Sequence, residues 1–211
     1  MNMAIHFLPG MGADARLWQD YHHLAEDASF HDWPKPSSFS IGIEAYARQL
    51  IDRFGIIASD VLVGASMGGM LAAEIQRLMP RIAVIQVSSC THPTQLRPIV
   101  RRLAPLIRYA PLRLAASIPN ALLPGRILRL AHDMYRKHDP DFIRWSCHIL
   151  LDWQGLDRPG NLYRILGDRD HLFPLSRQTP DLVISGGSHL MTLTQPRQVS
   201  AAIDARLGRL S

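Results

Sequence analysis

Asp60-Val61-Leu62-Val63-Gly64-Ala65-Ser66-Met67-Gly68-Gly69 is the stretch on which the fold turns. Its first half is β-branched and apolar at consecutive positions, the pattern of a strand buried on both faces. Gly69 to Met79 has helical character and is stopped by Pro80. Between them stands Gly-x-Ser-x-Gly, and the strand before and helix after are the context that gives this motif meaning. A serine on so sharp a strand-to-helix turn is forced into a strained backbone. Small residues two before and two after it prevent clashes, the hydroxyl projects beyond the sheet, and the next N–H faces the same space. The start of the helix adds a positive dipole end that favours developing negative charge. Without its flanks the same motif would be an ordinary Gly-rich turn.

Working outward, short apolar runs alternate with helical stretches on both sides. Ala4 to Leu8 reads as a buried strand closed by Pro9-Gly10, and 29–33 as a weaker strand. Asp14 is positioned to cap a helix carrying Leu17, Trp18, Tyr21 and Leu24. A helix is expected over 42–54, and strands over 81–87, 161–166 and 181–184, with a closing helix over 196–207. Strands apolar on both faces and separated by helices predict an α/β fold, a three-layer α/β/α arrangement around a mostly parallel sheet. In such sheets chemistry gathers at the carboxyl ends of the strands.

Each strand end delivers something there. The run at 161–166 leads into Gly167-Asp168-Arg169-Asp170-His171-Leu172-Phe173-Pro174, and the run at 181–184 into Ser185-Gly186-Gly187-Ser188-His189. An acid beyond one strand can orient a histidine from the next loop, and that histidine can serve Ser66 as general base. Each alone reads as an ordinary surface side chain, but serine, aspartate and histidine come in the chain order that hydrolases with this motif use. The first strand delivers Pro9-Gly10-Met11-Gly12-Ala13-Asp14. An acyl-transfer site needs a second N–H aimed at the oxyanion, and Met11 is the candidate beside Met67. Met11 could equally be a pocket-lining side chain.

On Phe7-Leu8-Pro9-Gly10-Met11-Gly12-Ala13-Asp14, Val63 to Gly69, Leu166 to Pro174 and Gly186 to His189, the sequence resembles the α/β-hydrolase superfamily, close to its small esterase-like members. The resemblance spans residues 4–91 and 156–211. It implies a catalytic triad of Ser66, Asp170 and His189 with an oxyanion hole of the Met11 and Met67 N–H groups. The family's Gly-x-x-Asp-x-x-x-Pro pattern falls on Gly167, Asp170 and Pro174, which selects Asp170 over Asp168. No acid lies between Ser88 and Gln95, so the family's alternative acid position is empty. Three departures stand out. Pro9-Gly10 replaces the family's common His-Gly. The chain starts at what would be the family's third strand, so the first hairpin is expected to be missing. Nineteen positions separate Asp170 from His189, leaving little room for a helix between the last two strands. A sheet of about six strands follows. The serine argues against the dehalogenase branch, which uses an aspartate there.

Residues 92–155 match nothing in this pattern. They read as a helical cap or lid inserted in a core formed by 1–91 and 156–211. Pro105, Pro111, Pro119 and Pro124 break the segment into short helices. Leu96, Ile99, Leu103, Leu106 and Ile107 suit one apolar helical face, ringed by arginines. The segment holds ten basic residues and four acidic ones, whereas the whole chain carries a net charge of +5. Such a balance could steer an acidic substrate or touch an anionic membrane surface; a packed cap with solvated arginines is the plainer reading.

Composition bounds the rest. Hydrophobic residues make up 47% and charged residues 19% of 211, an ordinary globular balance. No apolar run approaches the roughly 20 residues a bilayer requires. The first residues carry no basic leader or cleavage site. Cys90 and Cys147 belong to no metal-ligand spacing and read as two buried thiols of a reducing cytoplasm. No cofactor and no metal are expected. The basic segment lacks an aromatic stacking series, so nucleic acid is not an expected partner. The expected partner is a small ester or acyl compound, apolar or acidic, cleaved in the manner of a carboxylesterase through an acyl-enzyme. A slow-turnover ligand-binding or signalling homologue is the competing reading, as is a C–C bond hydrolase or acyltransferase with the same triad.

Overall fold

The computed structural model describes residues 3–156 and 160–210. The leaderless reading of Met1 and Asn2 and the junction at 157–159 therefore lie outside the described residues. Six strands form one sheet: β1 (Ile5–Leu8), β2 (Ala28–Phe30), β3 (Val61–Ala65), β4 (Ala83–Val87), β5 (Leu162–Gly167) and β6 (Leu182–Ile184). Their order is β2-β1-β3-β4-β5-β6, and every pairing is parallel. The helices are α1 (Ile43–Phe54), α2 (Met67–Leu78), α3 (Pro98–Leu103), α4 (Leu112–Ala116), α5 (Arg126–Tyr135), α6 (Pro140–Leu151), α7 (Met191–Thr194) and α8 (Pro196–Leu207). This is the expected α/β architecture with a sheet of six strands. Between β5 and β6 there is one 3-10 turn, Leu175–Arg177, as the short spacing required.

The strands alternate faces as their period of two demands. Val61, Val63 and Ala65 join an apolar cluster with Trp18, Tyr21, Met191 and Ile203, while Leu62 joins another with Leu50, Leu71 and Ile75. One cluster places α1 and α2 on one side of the sheet; the other places α7 and α8 on the opposite side. Burial on both faces explains why β3 and β4 carry few polar residues.

Two expected elements changed form. The helix after Asp14 is a single 3-10 turn, Ala15–Trp18, whose Arg16 N donates to the Asp14 carboxylate at 3.0 Å while Ala15 N donates to Asp32 Oδ1 at 2.8 Å. Tight i to i+3 bonds then carry the chain on, Tyr21 N to Trp18 O and Leu24 N to Tyr21 O. Leu17, Trp18 and Tyr21 are still buried, so the apolar spacing marked the core correctly but not the winding. α2 starts at Met67, two residues earlier than periodicity suggested, because the turn at Ser66 feeds the helix directly.

At the amino end of the sheet, buried His6 lies between Asp60 and His31. His6 Nε2 is 3.3 Å from Asp60 Oδ2 and His6 Nδ1 is 2.9 Å from His31 Nε2. His31 stacks on Phe54 at 3.8 Å between ring centroids. Burial, with His6 beside it, pushes the His31 imidazole down to about 4.

Between β4 and β5 the described residues form helices and turns without a strand. The single apolar face expected there is divided. Leu96 is buried and Ile107 packs against the core, but Ile99, Leu103 and Leu106 face solvent. The apolar period is real; only part of that surface meets protein. Cys90 is buried, and Cys147 is only half-buried, its Sγ 3.5 Å from Met11 Sδ. Burial raises both thiols, to about 12 and about 11. No described helix is long and apolar enough to cross a membrane.

Candidate active site

Parallel pairing in register aligns the strand ends: Leu8 opposite Gly64, Ala65 opposite Val87, Gly167 opposite Ile184. The loops carrying Met11, Ser66, Asp170 and His189 therefore leave the sheet along one edge.

Ser66 sits at φ 50° and ψ −116°, a conformation costly for a residue with a Cβ. The turn is held by its surroundings. Ser66 N donates to Val87 O at 3.0 Å, and Ser66 O accepts from Gly69 N, Met70 N and the Ser89 hydroxyl at 3.0, 3.1 and 2.7 Å. Space enforces it as well. A Cβ on Gly64 would overlap the Gly68 backbone, and one on Gly68 would overlap the carbonyl oxygens of Leu8 and Pro9. Both motif glycines are thus fixed by backbone running against backbone.

Asp170 is buried beyond β5 and held by its own loop: Leu172 N and Phe173 N donate to Oδ1 at 2.8 and 3.0 Å. Its Oδ2 lies 3.0 Å from His189 Nδ1. Burial alone would raise this carboxyl, but the His189 bond and the two backbone donors outweigh it and hold the group below the ordinary carboxylate range. A carboxylate only accepts, so Nδ1 carries a proton and donates, and in the neutral imidazole Nε2 is then the accepting nitrogen. The two loops are locked together: a Cβ on Gly167 would overlap Gly187, and Arg169 N donates to Gly187 O at 2.9 Å.

Ser66 and His189 line one cavity of about 190 Å³ together with Gly10, Met11, Leu17, Met134 and Tyr135. Among the described residues no hydrogen bond joins the Ser66 hydroxyl to the imidazole. Met11 N and Met67 N have no protein acceptor among the described residues, so both N–H groups are available. Asp168 goes elsewhere: its Oδ1 accepts from Gly186 N at 2.7 Å. A larger cavity of about 930 Å³ lies between α1 and α6. It contains none of these residues, and its Glu44 and Glu74 are both bridged by Arg77, at 2.5 and 2.7 Å.

Two supporting side chains were missed from sequence. Ser89 holds the Ser66 carbonyl. Buried Gln86 donates to Gly69 O at 2.8 Å and Cys90 O at 2.9 Å, tying the first turn of α2 to the loop after β4. The signal was present: Gln86 is the polar residue inside an otherwise apolar strand.

The model of the alpha/beta hydrolase family matches residues 7–202. The chain belongs to this family. No curated protein matches the sequence. Among solved structures, a thermophilic esterase from Thermogutta terrifontis has a TM-score of 0.73 at 18% identity, covering 100% of this chain and 91% of its own. An esterase from Exiguobacterium antarcticum gives 0.74 at 13%, covering 98% and 92%. A structure from work on carboxylesterases of Nitrososphaera gargenis gives 0.74 at 14%, covering 99% and 90%. At such identities the likeness establishes the fold.

Proposed function

We propose that this member of the family is a serine hydrolase cleaving a carboxylic ester, with Ser66 as nucleophile, His189 as general base and Asp170 as its orienting acid. The observation that carries the reading is the pairing of buried Asp170 with half-buried His189, at 3.0 Å, where His189 shares a cavity with a serine held at positive φ. Ser66 Oγ attacks the carbonyl carbon while His189 Nε2 takes its proton. Asp170 keeps the imidazole in the Nδ1–H tautomer and stabilises the imidazolium. The N–H groups of Met11 and Met67 hold the oxyanion. The imidazolium then protonates the leaving alkoxide. Water, deprotonated by His189, releases the acyl group and restores Ser66.

Residues 92–155 act in this reading as a cap, since α5 supplies Ala131, Met134 and Tyr135 to the cavity wall. The mainly apolar walls of this cavity suit an uncharged acyl group.

The test is fluorophosphonate labelling and p-nitrophenyl ester turnover. Wild type should label and turn over repeatedly, and Ser66→Ala should lose labelling and about 10⁴-fold or more in kcat. Unreduced turnover in Ser66→Ala would sink the assignment. The missing Ser66–His189 hydrogen bond favours one second reading, a slow-turnover binder, which would give a single burst instead of a steady rate. Catalytic bonds of unliganded enzymes often tighten only when substrate is present.

A further inference from the structure

The surface between residues 97 and 130 combines two features usually kept apart. It contains seven arginines and neither aspartate nor glutamate, and among the described residues none of the seven forms an ion pair. The same stretch exposes large apolar side chains: Ile99 at 52%, Leu103 at 52%, Leu106 at 54%, Tyr109 at 70% and Leu122 at 73%. Exposed apolar residues occurring singly are normal; a cluster of them marks an interaction surface.

The arrangement is directional. Ile99, Leu103 and Leu106 follow one another at helical spacing, while Val100 and Ile107 pack against the core from the opposite side. Tyr109 stacks under Arg108, with the guanidinium 4.6 Å from the ring centroid. In α5 the split repeats. Ile127, Leu130, Ala131 and Met134 pack inward, and Arg126, Leu128 and Arg129 face out. Three residues past Leu128, Ala131 lines the cavity that holds Ser66.

We propose that the outer face of residues 98–128 docks on an anionic lipid surface, its leucines and Tyr109 entering the headgroup region and its arginines meeting lipid phosphates. Charge decides the occupant. A second copy in a two-fold contact would bring the same unpaired arginines against each other, whereas an anionic bilayer offers both the counter-charge and the apolar layer. The proposal does not rest on the role of Ser66, and its test reads binding, not activity.

Sedimentation of the full chain with vesicles provides that test. Wild type should bind phosphatidylcholine vesicles containing about one third phosphatidylglycerol, bind pure phosphatidylcholine at least about tenfold more weakly, and weaken as salt is raised. The pair Arg101→Gln and Arg102→Gln should lose about 25-fold in affinity, at about fivefold per arginine. The pair Leu103→Ser and Leu106→Ser should lose about tenfold or more. Both pairs should keep the wild-type melting temperature and the hydrolysis of a short soluble ester, since these side chains lie outside the cavity. The proposal is overturned if wild type ignores the anionic vesicles or if neither pair weakens binding. It is overturned equally by tight binding to soluble polyglutamate without vesicle binding, or by a dimer that Leu103→Ser and Leu106→Ser dissolve.

Discussion

The turn at residues 64–69 and the outer face of residues 98–128 follow opposite rules. In the turn, main chain constrains main chain: two glycines meet backbone atoms, one carbonyl accepts three hydrogen bonds, and a serine is held where serine is rare. On the outer face, large apolar side chains touch solvent, and among the described residues none of its five arginines forms an ion pair. The first region is specified by the protein's own packing. The second is left uncovered by the described protein. Substitutions should therefore act differently in the two regions, and the size of the difference tests the contrast.

The largest effect belongs to the relay that serves the turn. Asp170→Asn retains an acceptor for Leu172 N and Phe173 N but loses the charge facing His189. Steady-state ester kinetics should show kcat reduced by about 10³- to 10⁴-fold, with a melting temperature close to wild type. A loss below tenfold would remove Asp170 from the proposed chemistry.

Next comes a pair of glycines. Gly68→Ala places a methyl against Leu8 O and Pro9 O and should cost about 3 kcal/mol or more in urea unfolding. Gly125→Ala, on the outer segment, meets nothing within 4 Å but holds φ 75° and ψ 156°, a region open essentially to glycine alone, and should cost about 1–3 kcal/mol from backbone strain without any clash. Equal costs would erase the distinction.

Acid should act on the sheet before the outer face. The His31 imidazole sits near 4 when folded and near 6.5 when free. Between those values the unfolded chain binds more protons, so stability falls as pH drops from about 6.5 to about 4. Allowing for partial exposure of the ring, the loss is about 1–2 kcal/mol. Melting curves against pH should show the slope in wild type and a flatter one in His31→Gln. Asp170, held below its ordinary range, contributes stability at neutral pH that fades as pH falls below about 4, so His31→Gln should flatten only the higher window.

The smallest effect is expected at Leu106→Ser alone, within about 0.5 kcal/mol in urea unfolding, against about 3 kcal/mol for Leu62→Ala in β3. A large loss at Leu106 would mean that the outer face is packed after all.

The same contrast explains what the sequence disclosed. Strands β3 and β4 were legible because burial on both faces leaves an unbroken apolar run, and Ser66, Asp170 and His189 because each follows such a run. Ser89 and Gln86 were not, since a hydroxyl bonding a main-chain carbonyl leaves no pattern along the chain. The helix expected after Asp14 failed because i to i+3 turns can bury Leu17, Trp18 and Tyr21 equally well. Ile99, Leu103 and Leu106 were legible as one apolar face, but whether protein covers that face was not. Periodicity reports that side chains share a direction, not what lies in that direction.

The contact between Gly167 and Gly187 has a consequence for how such a protein can change. The spacing of acid and imidazole is set where two main chains touch, whereas one part of the cavity wall is supplied by side chains of α5. Randomising 167 and 187 should return glycine almost alone, while Ala131, Met134 and Tyr135 remain open to exchange. If the proposed chemistry holds, substrate choice can then drift through selection on one helix without moving the acid and the imidazole, so descendants of this chain could diversify in diet while inheriting a single chemistry.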